Sequence, residues 1–214
     1  MEETTTKEQI LKRVRDALIS KKENPFKEID FSSPVLQKLS DEKEVVFARK
    51  LIEMGGTFVY CENEKALTDN LEVLREQKKW ENYFVVDKRV KALLQSANIP
   101  CESREKKFDS LKAGITHCEF LIARFGSVFV SSGLHSGRRM FVFPESHIVI
   151  AYASQVVGEL KEALSGMREK YSNNFPSQMT VITGPSRTAD IEKTLVMGAH
   201  GPRELYVFMI DDTD

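Results

Sequence analysis

The chain has 214 residues, 41% of them hydrophobic and 29% charged, with a formal net charge of −1. That length suits one α/β domain with small appendages, and the composition supplies a sizeable core. The near-zero charge excludes a global field for nucleic acid or an anionic membrane, and no apolar run approaches the roughly 20 residues of a membrane span.

The start, MEETTTKEQ, is polar and acidic, unlike a signal or transit peptide. Ile10, Leu11, Val14 and Leu18 recur at helical spacing and predict an amphipathic helix over residues 6–20, with Thr6 as its cap. Lys21 to Pro34 reads as a linker broken by Asn24-Pro25 and Ser33-Pro34. The expected organisation is therefore a helix and linker over 1–34 and a single domain over 35–214. The helix packs on its own domain or serves as an oligomer arm.

From Asp41 helices and strands alternate. A helix near 41–54 turns Val45, Ala48, Leu51 and Ile52 inward and stops at Gly55-Gly56. Thr57 to Cys61 is a strand, Glu64 to Lys79 a helix with Leu67, Leu71 and Leu74 inward, and Tyr83 to Val86 a strand. Lys88 to Ala97 is helical, and Ile99-Pro100-Cys101 suits an edge strand, where proline is tolerated. Connections of this size imply a parallel sheet covered by helices. After a charged, irregular stretch near 102–112 come four short β runs: Phe120 to Ala123, Val128 to Ser131, Met140 to Phe143 and His147 to Ala151. Their spacing leaves no room for crossover helices, so some must be antiparallel. Ser154 then caps a helix reaching Tyr171, with Val157, Leu160, Leu164 and Met167 inward.

The last stretch, TVITGPSRTADIEKTLVMGAHGPRELYVFMID, holds most of the chain's punctuation. It reads as strand, loop, short helix, loop, strand. Gly184-Pro185 breaks the first strand; Thr188 or Ser186 caps the helix, and Asp190 and Glu192 occupy its first turn. The same loop supports a second reading, in which Ser186, Arg187 and Thr188 offer donors to an anion at a helix start. In a regular crossover, Gly184 to Asp190 would lie at the carboxyl end of the sheet. His200 would then lie roughly 13 Å away at the other end. A connection that is not a regular helix would instead fold His200 back onto the Ser186 loop.

A second polar cluster runs from Ser131 to Arg139 and suits either a solvated hairpin loop or an anion site. Arg138 is favoured over Arg139 to face such a site, and Arg124 is a third candidate. The histidines, His117, His135, His147 and His200, show no metal-binding spacing. His147 opens an apolar strand and reads as structural; His200, between glycine and proline, is singled out for function. Cys61, Cys101 and Cys118 are odd in number and scattered, which argues against a disulfide framework and against an iron–sulfur or zinc site. No serine-nucleophile, P-loop or dinucleotide motif is present. These features suggest a reduced, cytoplasmic protein.

The segment GPSRTADIE followed by GAHGP resembles the signature of the lactate utilization protein C family, also called the LUD domain. The resemblance extends upstream through Gly114-Ile115-Thr116, Ile122 to Ser127, Gly137-Arg138-Arg139 and Pro144 to Val149, and to the helix ILKRVRDAL. Where the family commonly has alanine or threonine before Gly-Ser, this chain reads Phe125-Gly126-Ser127. The resemblance implies an α/β fold like that of glucosamine-6-phosphate isomerases, ribose-5-phosphate isomerases and CoA transferases: a mainly parallel sheet flanked by helices, with an antiparallel β insertion. It implies a non-redox component of an iron–sulfur-dependent L-lactate oxidation system. This chain would need no cofactor, and the clusters would sit on partner proteins. The alternative is a stand-alone enzyme or binding module for a small phosphorylated or acyl-CoA ligand. Candidate ligand-binding residues are Gly184, Ser186, Arg187, Thr188, Asp190, Arg138, Gly126 and Ser127; Asp190 and His200 are the candidates for catalysis.

Overall fold

The computed structural model describes residues 5–19, 38–103, 111–172, 174–189, 195–198 and 200–212. The chain divides into two units, Met1–Lys38 and Leu39–Asp214. In the first, α1 spans Thr6–Ile19. Its cap is Thr5 rather than Thr6: the Glu8 carboxylate accepts from the Thr5 N–H at 2.8 Å, and Thr5 Oγ1 accepts from the Glu8 N–H at 3.4 Å. Two otherwise orphaned donors are satisfied reciprocally. The expected linker, Lys21 to Pro34, lies outside the described residues.

The second unit runs α2 (Lys43–Glu53), β1 (Thr57–Cys61), α3 (Glu64–Lys78), β2 (Tyr83–Val85), α4 (Lys88–Ser96), β3 (Cys101–Glu102), β4 (Ala113–His117), β5 (Phe120–Ile122), β6 (Ser127–Ser131) and β7 (Ser146–Tyr152). It continues with β8 (Val156–Val157), α5 (Leu160–Tyr171), β9 (Met179–Ile182), β10 (Arg187–Ala189), β11 (Leu195–Met197) and β12 (Glu204–Ile210). Six strands in the order β1-β12-β7-β4-β2-β3 form a sheet in which every described pairing is parallel. A second, mixed sheet has the order β8-β5-β6-β9, antiparallel at β5–β6 and β6–β9 and parallel at β5–β8.

Alternation along the central strands divides the core. Val149 and Ala151 of β7, with Leu205, Val207 and Met209 of β12, pack on α2 and the second sheet. Ile148, Ile150, Tyr206, Phe208 and Ile210 face the other way, onto Leu67 and Leu71 of α3 and Val90 and Leu94 of α4. Successive side chains on a strand point to opposite faces, so both faces of this sheet are apolar and both are covered. Beyond the second sheet, α5 packs Ala163 and Met167 on Ile122 and Phe129.

Four local expectations are corrected. First, α2 buries Val46, Phe47 and Leu51, leaving Val45 and Ile52 exposed. Two apolar stripes overlap in this helix, and the one carrying the larger Phe47 wins, its ring meeting Phe58 edge-on at 6.1 Å. Second, Met140 to Phe143 is not a strand; Arg139–Phe141 form a 3-10 turn that buries Met140 and Phe141. Third, Ser154 does not cap α5, because a 3-10 turn at Ala153–Gln155 and β8 intervene. Its N–H and hydroxyl donate to Asp212 instead, at 2.8 and 2.5 Å. Fourth, Arg187 to Met197 is not helical at its ends: β10 and β11 pair antiparallel, Thr188 opposite Val196.

Candidate functional site

The carboxyl ends of the central strands open into a cavity of about 880 Å³. Asp87 follows β2, His117 ends β4, Tyr152 ends β7 and Ile210 ends β12, and all four line it. Open parallel sheets bind ligands at this edge because strand-to-helix loops and helix starts converge there. Asp87 is a cap: its carboxylate accepts from the N–H groups of Arg89 and Val90 at 2.8 and 3.3 Å. That bond fixes the start of α4 and sets the Arg89 side chain on the cleft wall. The His117 ring stacks on Tyr152 with centroids 6.4 Å apart, and its Nδ1 lies 3.2 Å from the Ile150 carbonyl. His135 and Ser136 also line the cavity, the latter buried with its hydroxyl unpartnered among the described residues.

One side of the cleft rests on a buried carboxylate. The Glu119 side chain is 0% exposed. It accepts from Ser131 Oγ at 2.5 Å, Tyr171 Oη at 2.7 Å and Lys170 Nζ at 2.7 Å. Burial of an unpaired charge is costly, and these three donors make it tolerable. Burial works against the Lys170 ammonium, but the hydrogen bond and charge of Glu119 outweigh it and raise its pKa above the usual lysine value. Burial and then Glu119 raise the Tyr171 phenol as well. Lys170 and Tyr171, fixed this way at the end of α5, both line the cleft. Burial pushes the neighbouring Cys118 thiol up, so it stays protonated at neutral pH and is no nucleophile. The arrangement offers an anion Arg89 and the Glu119-paired Lys170, tempered by Glu64 in the same lining.

Sequence reasoning missed Glu119, Lys170, Tyr171 and Arg89. A signal was present: Glu119 is an acid between apolar runs, and a charge in such a setting is rarely buried without partners.

The signature segment lies elsewhere. β9 belongs to the second sheet, and the Ser186 N–H donates to the Pro202 carbonyl at 2.8 Å, just before β12 begins. Gly184 and Ser186 therefore sit by the amino end of the main sheet, not at its carboxyl end. The Gly198 N–H donates to the Ser186 carbonyl at 2.9 Å, closing the hairpin's base. His200 folds back so that it and Ser186 line one cavity of about 160 Å³, with His147 and Gly184. The crossover geometry, which separated His200 from Ser186, is thereby corrected.

Other candidates have structural engagements. The Arg187 guanidinium donates to the Met54 carbonyl at the end of α2. Gly184 has a φ of +73°, and a Cβ there would lie 2.3 Å from that same carbonyl oxygen. Ser127 is buried, its hydroxyl 2.8 Å from that of Thr183. Gly126 sits against the backbone of α2. Arg138 is exposed and donates to Ser177 Oγ; it is not among the residues lining the cleft. Thr188 lies in β10 opposite Val196, and Asp190 lies outside the described residues. Among the described residues, no cluster of three or more His, Cys, Asp or Glu is placed to hold a metal ion. None of their helices is long and apolar enough to cross a membrane.

A six-stranded parallel sheet with a cleft at its carboxyl edge and a second sheet packed on one face defines an α/β domain. The chain belongs to the LUD domain family, whose model matches residues 43–210. It is 34% identical over 113 residues to lactate utilization protein C of Bacillus subtilis, covering 52% of this chain and 47% of that one. It is 36% identical over 101 residues to lactate utilization protein C 1 of Bacillus mycoides, covering 46% and 43%. The chain thus spans about half the length of the curated relatives it matches. A crystal structure of a DUF162 family protein from Deinococcus radiodurans shares the fold, with a TM-score of 0.60 at 16% identity over 79% of this chain and 96% of that one.

Proposed function

We infer that this chain is a cytoplasmic, non-redox component of a lactate utilization system, acting with iron–sulfur partner proteins, and that its carboxyl-edge cleft binds a small anionic ligand of that system. The name of the relatives supports the pathway. The cleft supports the binding role, and one observation carries it: Arg89 and Lys170 line one cavity of about 880 Å³ at the carboxyl edge of the main sheet.

The test is genetic and biochemical together. A strain lacking the gene should fail to grow on L-lactate and recover with the wild-type gene. Arg89→Ala should restore growth poorly, although its thermal midpoint stays within about 2 °C of wild type, as expected for an exposed residue. Normal growth of the deletion strain on L-lactate would remove the pathway assignment. Full rescue by Arg89→Ala would take Arg89 out of the cleft's function.

A further inference from the structure

The main sheet ends differently on its two sides. At one edge β3 has only 2 residues, follows Pro100 and carries Glu102. Short length, proline and charge all blunt an edge strand against further pairing. At the other edge β1 runs for 5 residues, Thr57–Cys61, with no charge and no proline. Among the described residues, no strand pairs with its outer side. One hydrogen bond shows which backbone groups face outward. The Asp211 N–H donates to the Cys61 carbonyl at 2.9 Å, so Cys61 bonds toward the β12 side. A residue's N–H and C=O leave a strand on the same side, and successive residues alternate. Thr57, Val59 and Cys61 therefore bond toward β12, and Phe58 and Tyr60 present their N–H and C=O groups outward.

Beside this edge α2 carries its second apolar stripe, the one left out of the core. Val45, Ala48 and Ile52 recur at helical spacing, with Val45 47% exposed and Ile52 59%. Val45 and Ala48 line a hollow of about 540 Å³ together with Phe58 and Tyr60, so the stripe overlooks the open edge. The two ends of this surface differ in charge. Glu42, Glu44 and Asp211 stand around the hollow, whose lining has no lysine or arginine among the described residues. At the other end of α2 is the exposed Arg187, which donates to the Met54 carbonyl and has no carboxylate partner among the described residues.

We propose that a second copy of this chain docks on this edge, β1 against β1 in antiparallel register, about a twofold axis through Val59. Three features are self-complementary under that operation. Phe58 comes opposite Tyr60 of the second copy, and the outward N–H and C=O groups of both strands find partners. The two α2 helices lie antiparallel on one face of the joined sheet, Val45 beside Ile52 of the second copy and Ile52 beside Val45. The acidic end of each copy meets Arg187 of the other, which is charge complementarity. An isolated peptide strand would satisfy the backbone but bring no helix to cover Val45 and Ile52. Docking joins two six-stranded sheets into one. Because the strands of the two copies run in opposite directions, the two carboxyl-edge clefts open at opposite ends and both stay accessible.

Sedimentation velocity on the full chain tests this. Wild type should be a dimer at about 100 μM, with a Kd of about 10 μM. Val45→Glu and Ile52→Lys should each weaken the dimer about 100-fold, because each buries two unpaired charges per dimer. An equimolar mixture of the two variants should regain the dimer, since opposite charges then face each other on one side and the apolar pair is intact on the other. Tyr60→Pro should also abolish the dimer while folding normally, because it removes only an outward N–H on an edge strand. An unchanged far-ultraviolet circular dichroism spectrum separates lost docking from lost folding in every variant. A monomeric wild type at about 100 μM would overturn the proposal. So would a dimer that survives both charge variants or a folded Tyr60→Pro, which would seat the second copy elsewhere, and so would no recovery on mixing.

Discussion

Gly126→Ala is expected to lower the thermal midpoint by roughly 10–15 °C, from a loss of about 3–5 kcal/mol. Two costs combine. Gly126 has a φ of +60°, left-handed backbone that an alanine adopts only at a penalty. A Cβ there would also lie 2.2 Å from the Leu51 nitrogen and 2.4 Å from the Lys50 carbonyl carbon. Those are backbone atoms of α2, whose Phe47 and Leu51 are fully buried, so the helix cannot move aside without opening the core. Gly126→Asn separates the costs, because asparagine tolerates the dihedral but still carries the Cβ. It should be nearly as damaging. Thermal melts of both variants decide the matter; a midpoint within about 2 °C of wild type would mean that α2 does not press on Gly126 as described.

The second large effect is acid sensitivity. Burial lowers the pKa of His147 from 6.5 to about 4. Between those values the unfolded chain binds a proton that the folded chain refuses. The stabilisation is therefore fully present above about pH 6.5 and is lost as pH falls from 6.5 toward 4. The loss amounts to about 3 kcal/mol over the window. Glu72 and Glu204 have folded pKa values below 4.5, so their stabilisation fades only at lower pH. Urea unfolding at pH 7, 5.5 and 4.5 should show the decline in wild type and a much flatter profile in His147→Gln. Parallel profiles would show that another group carries the acid response.

Of the main sheet, β1, β2, β7 and β12 were legible as short apolar runs, Leu205 to Ile210 and His147 to Ala151 being the longest; β4, Ala113–His117, was not read as a strand, its run interrupted by Gly114 and Thr116. The helix α3 was legible from its stripe of Leu67, Leu71 and Leu74; in the structure Asn63 and Asp87 cap α3 and α4 as short polar residues do, a signal the sequence reading had not used. The hairpin of β10 and β11 was not. Ala189, Asp190, Ile191, Glu192 and Lys193 include good helix formers behind a threonine, and that local preference pointed to a capped helix. A helix that short is marginal alone, so tertiary pairing decides its conformation. The β-favouring Thr188 and Val196, which oppose each other in the ladder, were the contrary signal. The cleft was hidden for a different reason. Arg89, Glu119, Ser136 and Lys170 are far apart along the chain, and only the convergence of strand ends brings them to one place.

The place of β12 in the sheet has a consequence for how the chain reaches this state. It lies between β1 and β7, so Thr57 finds its neighbour only in Tyr206, and Ser146 only in Glu204 on that side. During synthesis β1 has no described partner until nearly the whole domain has left the ribosome. Closing so long a loop delays the rewarding contacts, which favours slow folding through partly assembled states. The apolar edge of β7 stays open for the same interval, an invitation to chaperones and to other nascent copies. A chain arrested before Glu204 would leave a gap between β1 and β7 where an inner strand belongs.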